Sequence, residues 1–112
     1  MDRPNNSAKI RALNDAFRTT FAGGQVVVTI GVNALSKELL TEVIGKVRAF
    51  DAFTADNDPN DEHDFGSFEV GGEQFFWKID YYDKTDMDSG SEDPADPSKT
   101  IRVLTIMLRE EY

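Results

Sequence analysis

The stretch that decides the fold is Phe65-Gly66-Ser67-Phe68-Glu69-Val70-Gly71-Gly72-Glu73-Gln74-Phe75-Phe76-Trp77-Lys78-Ile79-Asp80-Tyr81-Tyr82. Two runs rich in aromatic and β-branched residues flank Gly71-Gly72. A two-residue connection of this kind needs positive φ at its centre, which glycine adopts at no steric cost. The stretch therefore predicts a β-hairpin, and counting outward from the turn sets its register. Val70 faces Glu73, Phe68 faces Phe75, Gly66 faces Trp77 and Asp64 faces Ile79. Side chains alternate across a strand, so Phe68, Val70, Phe75, Trp77 and Ile79 share one apolar face. The other face pairs Glu69 with Gln74, Ser67 with Phe76 and Phe65 with Lys78, and a longer ladder sets His63 across from Asp80. Phe65, Phe76 and Tyr82 on that second face call for a covering helix or a partner.

Before the hairpin, Ser7 is placed to cap a helix with Ile10, Leu13, Phe17 and Phe21 inward and Arg11, Asn14, Asp15 and Arg18 outward, ended by Gly23-Gly24. Gln25 to Val32 reads as a strand, with Val26, Val28, Ile30 and Val32 on one face. Ser36 caps a second helix whose stripe is Leu39, Leu40, Val43, Ile44, Val47 and Phe50. After the hairpin, residues 84–99 are acidic and broken by Gly90, Pro94 and Pro97, which marks a long loop. Ile101 to Leu108 is apolar on both faces, as a central strand covered on both sides would be. The order αβαβββ predicts a single α+β domain over residues 1–112, with a mainly antiparallel sheet packed with two helices and a flexible N-terminus at 1–6.

The length suits one domain, which buries about 60–70% of its unfolded surface, and 39% hydrophobic content separates the chain from disordered acidic sequences. The absence of cysteine excludes disulfides, thiolate zinc sites and thiol nucleophiles. The first residues contain no apolar leader core, and no apolar run approaches the ~20 residues that span a bilayer. A cytoplasmic protein with no membrane partner is the expectation.

In the second half, Asn57-Asp58-Pro59, Glu62-His63-Asp64-Phe65-Gly66, Trp77-Lys78-Ile79-Asp80-Tyr81-Tyr82-Asp83, Asp93-Pro94-Ala95-Asp96-Pro97, Arg102-Val103-Leu104-Thr105-Ile106-Met107-Leu108 and the closing Glu111-Tyr112 carry a resemblance. They resemble a family of small, uncharacterised bacterial domains often encoded on plasmids and other mobile elements. The resemblance spans roughly residues 12 to 112. It implies a bacterial origin and a mobile-element setting, and transfers no catalytic residue.

Charge is distributed unevenly. Residues 1–50 hold 4 acids and 7 bases, net +3, and residues 51–112 hold 17 acids and 5 bases, net −12. Thirteen of the 21 carboxylates fall within Asp51–Asp64 and Asp80–Asp96, where Lys84 is the one base. Such a surface repels phosphates, which argues against direct nucleic-acid binding. It also imitates phosphates, which points to a protein partner: a basic, nucleic-acid-binding complex. The expected partner surface comprises Asp56, Asp58, Asp61, Glu62, Asp83, Asp86, Asp88, Glu92 and Asp93, with Phe76, Tyr81 and Tyr82 as aromatic anchors.

His63, the one histidine, forms a polar cluster with Asp64 and Asp80 that reads first as a His–Asp pair pinning the start of the hairpin. The Asp56-Asn57-Asp58-Pro59-Asn60 and Asp86-Met87-Asp88-Ser89-Gly90 runs resemble the opening of an EF-hand loop, but Asp61 occupies the sixth position of the first and Gly90 the fifth of the second. Both fail the pattern, which needs glycine at six. No cofactor and no tight metal site are expected, since oxygen ligands on proline-broken loops lack a fixed geometry. The leading expectation is a non-enzymatic interaction protein, an acidic inhibitor of a host defence complex such as CRISPR or restriction. The alternatives are a small metal-dependent enzyme built on His63, Asp64, Asp80 and Asp83, or a regulatory homodimer that uses the aromatic face.

Overall fold

A computed structural model describes residues 6–112. The segment expected to be flexible, 1–6, lies outside these apart from Asn6, which opens helix α1 (Asn6–Thr20). Strand β1 (Gly24–Val28), a short helical turn α2 (Ile30–Asn33), helix α3 (Lys37–Arg48), and strands β2 (Phe65–Val70), β3 (Glu73–Asp83) and β4 (Thr100–Leu108) follow, closed by a 3₁₀ turn at Arg109–Glu111. The sheet order is β1-β4-β3-β2, with β1 parallel to β4 and the other pairs antiparallel. The α+β class and the order αβαβββ are those the sequence predicts.

The hairpin forms in the counted register, Val70 with Glu73 through Phe65 with Lys78. Gly71 and Gly72 take φ of 59° and 82°, the left-handed pair that a two-residue turn requires. Ile79 N–H extends the ladder by donating to Asp64 O at 2.9 Å. Val70, Phe75, Trp77 and Ile79 are buried together with Leu104 and Ile106 of β4, under Phe17 of α1 and Val43 and Val47 of α3. Ser36 caps α3 by accepting the Leu39 N–H.

Three local expectations change. Ser7 lies inside α1, not at its cap. The strand expected over 25–32 stops at Val28: Thr29 opens α2, whose Gly31 N–H, with the Thr29 hydroxyl, donates to the Glu111 carboxylate. Val32 is still fully buried, but by way of the helical turn, which leaves Ile30 89% exposed. The third change concerns α1. Its buried positions are Ile10, Asn14, Phe17 and Arg18, so the inward stripe takes in two polar residues expected outside. The second face of the hairpin is met by the C-terminal Tyr112, whose ring packs against Phe76 and Phe65 with centroids 5.1 and 5.9 Å away.

Gly66 and Gly45 make a paired test of packing. A Cβ at Gly66 would run into the Trp77 indole and the Phe50 ring, whereas one at Gly45, within α3, meets nothing. Gly66→Ala is expected to lower stability by about 1–3 kcal/mol through overpacking, and Gly45→Ala to raise it by about 0.5–1 kcal/mol through helix propensity. Urea denaturation midpoints moving in opposite directions check both.

Candidate functional site

The core face of the sheet turns from apolar to polar along its length. Trp77 is paired with Ile106, and Ile79 with Leu104, but the next rung sets Tyr81 beside Arg102, both still pointing under α1. Asn14 of α1, fully buried, reaches down to them. Its side-chain oxygen accepts from Arg102 Nε at 2.7 Å, and its nitrogen donates to Tyr81 Oη at 2.8 Å and Glu62 O at 3.0 Å. Arg102 also donates to Pro94 O at 2.5 Å and lies 5.2 Å from the Tyr81 ring centroid. Asn14 thus joins α1, β3, β4 and the 51–64 loop, and Arg102 extends the network to the 84–99 loop. Burial pushes the Tyr81 phenol up, well above its ordinary range, and lowers Arg102. Desolvation first, then the nearby Asp58, raises the Asp64 carboxyl.

Beside this network, His63 departs from the expected pairing with Asp80. Its φ of 56° ends the strand geometry that would carry the ladder further, and Asp80 takes Lys78 as its ion-pair partner at 2.9 Å. The imidazole turns to α1, where Nδ1 lies 2.9 Å from Asp15 Oδ1, and its ring stacks on Phe53 at 3.7 Å and 3°. Nε2 stands 3.6 Å from Asp58 Oδ2 and 4.0 Å from Asp61 Oδ1. Arg18 completes the surroundings: it donates to Asp15 and to the Val47 and Arg48 carbonyls that end α3, and lies over Trp77 and Phe53. A cleft of about 360 Å³, lined by Phe53, Thr54, Ala55 and Pro59 among others, opens onto His63.

The residues expected at a partner surface differ in their exposure. Asp56, Asp61, Asp86, Asp88 and Glu92 are exposed, while Asp83, Asp93 and Glu62 are half-buried. Asp58 is a correction: it is 7% exposed because its carboxylate accepts the backbone N–H groups of Glu62 and His63, so it braces the loop from within. Tyr81 is another. It faces the helices, so it does not share a face with Tyr82 and Phe76. Asn14, Asp15 and Arg18 are site residues that the sequence reading set outside. Their spacing was a signal, since 10, 14, 17 and 21 fit a helical stripe as well as 10, 13, 17 and 21, but apolar patterning favours Leu13 over Asn14.

Fold and site define a small α+β domain with a polar, partly buried His–carboxylate site at the acidic end of its sheet. The chain belongs to the family described as "Protein of unknown function (DUF3768)", whose model matches residues 28–111. That match begins at the end of β1, so α1 and its Asn14, Asp15 and Arg18 precede it. No curated protein and no solved structure matches the chain. Among the described residues, no helix is long and apolar enough to cross a membrane.

Two variants test the polar network. Asn14→Ala leaves Arg102 Nε and the Tyr81 hydroxyl without their buried partner, and a loss of ~3 kcal/mol is expected in chemical denaturation. For Asp64, the folded pKa lies above the unfolded value of 3.8, so ionisation opposes folding. Stability is therefore lost as pH rises from the unfolded value through the folded one, and the cost persists above it. Asp64→Asn should be more stable than the parent at pH 7, with the advantage vanishing at pH 3. An advantage that grows on acidification would contradict this sign.

Proposed function

We propose that the domain is a non-enzymatic interaction protein whose acidic end occupies the basic groove of a nucleic-acid-binding complex and keeps DNA or RNA out. The observation that supports it is topological. The 51–64 loop leads into β2, and the 84–99 loop links the end of β3 to the start of β4, so antiparallel pairing brings both acidic stretches to one end of the sheet. Carboxylates 30 residues apart in sequence are thereby carried by loops at the same end of the sheet.

Order within the loops adds to the reading. Asp83 accepts from Thr85 N–H and hydroxyl, and Asp96 from Ser98 in the same way, which holds both carboxyls below the usual range. The loop is tied to the sheet by Asp83 N–H to Ser89 O, Ser91 N–H to Tyr81 O and Lys84 N–H to Lys99 O. Charges held in place present a fixed pattern to a partner at lower ordering cost than a flexible tail. Exposed Asp56, Asp61, Asp86, Asp88 and Glu92 form the primary contact surface, with half-buried Glu62, Asp83, Asp93 and Tyr82 at its margin. The metal-dependent enzyme alternative loses its organising pair, because Asp80 is bound to Lys78. In the mobile-element setting that the motif resemblance implies, CRISPR and restriction complexes are the partner class.

Competition decides the matter. Complexes captured from bacterial lysate at low salt are expected to release the protein at high salt, because exposed charges are screened beyond about 8–10 Å at physiological ionic strength. The protein should displace bound DNA or RNA from them. A combined Asp56→Asn, Asp86→Asn and Asp88→Asn variant should lose displacement at an unchanged melting temperature, and equal competition by that variant would refute the reading.

A further inference from the structure

We propose that Asp58, Asp61 and His63 bind a divalent transition-metal ion, zinc before the others, and that Asp15 is the positioning residue of the site. The donor atoms of the three residues lie within 4.8 Å of one another. Around zinc, ligands at about 2.0–2.2 Å in a tetrahedron stand about 3.3–3.6 Å apart. Nε2 to Asp58 Oδ2, at 3.6 Å, already has that separation, and Nε2 to Asp61 Oδ1, at 4.0 Å, needs only a small closure. Asp61 makes it with Oδ1: its side chain is 71% exposed, and Arg11 pairs with the other oxygen, Oδ2.

The imidazole is oriented for a metal. Asp15 at Nδ1 selects the tautomer with the proton on that nitrogen and leaves the Nε2 lone pair facing the carboxylates, the carboxylate–histidine arrangement that second-shell groups give metal ligands. Stacking on Phe53 fixes the ring plane. Independently, Asp58 is a buried carboxylate, its side chain 4% exposed, and among the described residues no lysine or arginine pairs with it. Its carboxylate accepts the Glu62 and His63 backbone N–H groups, which offset part of the cost of burying the charge, and a cation shared with Nε2 and Asp61 would offset more. The nitrogen donor and the count of three favour zinc over calcium, which takes 6–8 oxygens. The fourth position opens onto the cleft lined by Phe53, Thr54, Ala55 and Pro59, with room for water. Flexible loops were the reason to expect no tight site, and the fold removes it: Asp58 is braced by two backbone N–H groups and His63 by α1.

The test is calorimetric titration of the full chain with zinc chloride, alongside visible absorption of the cobalt-substituted protein. One zinc per chain is expected, with an intense tetrahedral cobalt spectrum and weaker binding of calcium and magnesium. His63→Gln and Asp61→Asn should each weaken zinc binding at least about tenfold, and Asp15→Asn by about 10–100-fold with the cobalt spectrum altered. Asp61→Asn removes the charge of an exposed side chain whose solvent-screened pair with Arg11 contributes little to stability, so its melting temperature should stay near the parent's and its result remains interpretable. The Asp56→Asn, Asp86→Asn and Asp88→Asn variant should bind zinc as the parent does, which separates zinc binding from displacement although Asp61 belongs to both surfaces. If zinc uptake is absent, or unchanged in His63→Gln and Asp61→Asn, or weaker than calcium uptake, the inference fails, leaving a hydrogen-bonded brace between the loop and α1.

Discussion

Asn14 holds the architecture together at the one place where the hydrophobic effect does not. Along most of the sheet, α1 and α3 are held by apolar burial against Trp77, Phe75, Leu104 and Ile106. At the acidic end that core gives way to Tyr81 and Arg102, and a helix can cover them only if their polar groups are answered. Asn14 answers both and also takes the Glu62 carbonyl, so the helix, two strands and the entry to β2 meet at one amide. A network of this kind fixes one arrangement because every alternative leaves a buried donor or acceptor unpaired.

The acidic loops take their order from that junction. Arg102 reaches Pro94 O in the 84–99 loop, and Asn14 reaches Glu62 O in the 51–64 loop. A further link comes from Arg18, which joins Asp15 to the last carbonyls of α3 and so clamps the two helices at the same end. In a chain with a net charge of −9, the two acidic loops are thereby tied to the sheet and to α1. Asp58 shows the other side of this economy: a residue that composition alone assigns to the solvated surface is spent on bracing backbone N–H groups inside the loop.

His63 sits where these constraints meet. It inherits its ring plane from Phe53, its tautomer from Asp15 and its backbone from Asp58, one of the three lying on α1 and two in its own loop. Its left-handed φ, shared with Asp61 at 56°, is the bend that turns the loop away from the strand and brings both side chains back toward Asp58. A non-glycine residue holds that conformation only when its surroundings compensate for the strain.

The sequence by itself determined the hairpin, its register, its apolar face and the α3 stripe, because those rest on period-2 and period-3.6 patterning and on two glycines whose conformational freedom is local. It also determined the overall charge polarity. Tertiary structure decided which polar residues of α1 face inward, since Leu13 and Asn14 differ by one position and only the Tyr81–Arg102 rung beneath makes the amide the better fit. It ended β1 at Val28, because Glu111, 80 residues away from Gly31, accepts the Gly31 N–H and stabilises a helical turn there. It gave His63 to Asp15 and not to Asp80 for the same physical reason: hydrogen-bond partners far apart in sequence are chosen by how helices and loops dock, and local periodicity carries no information about that choice.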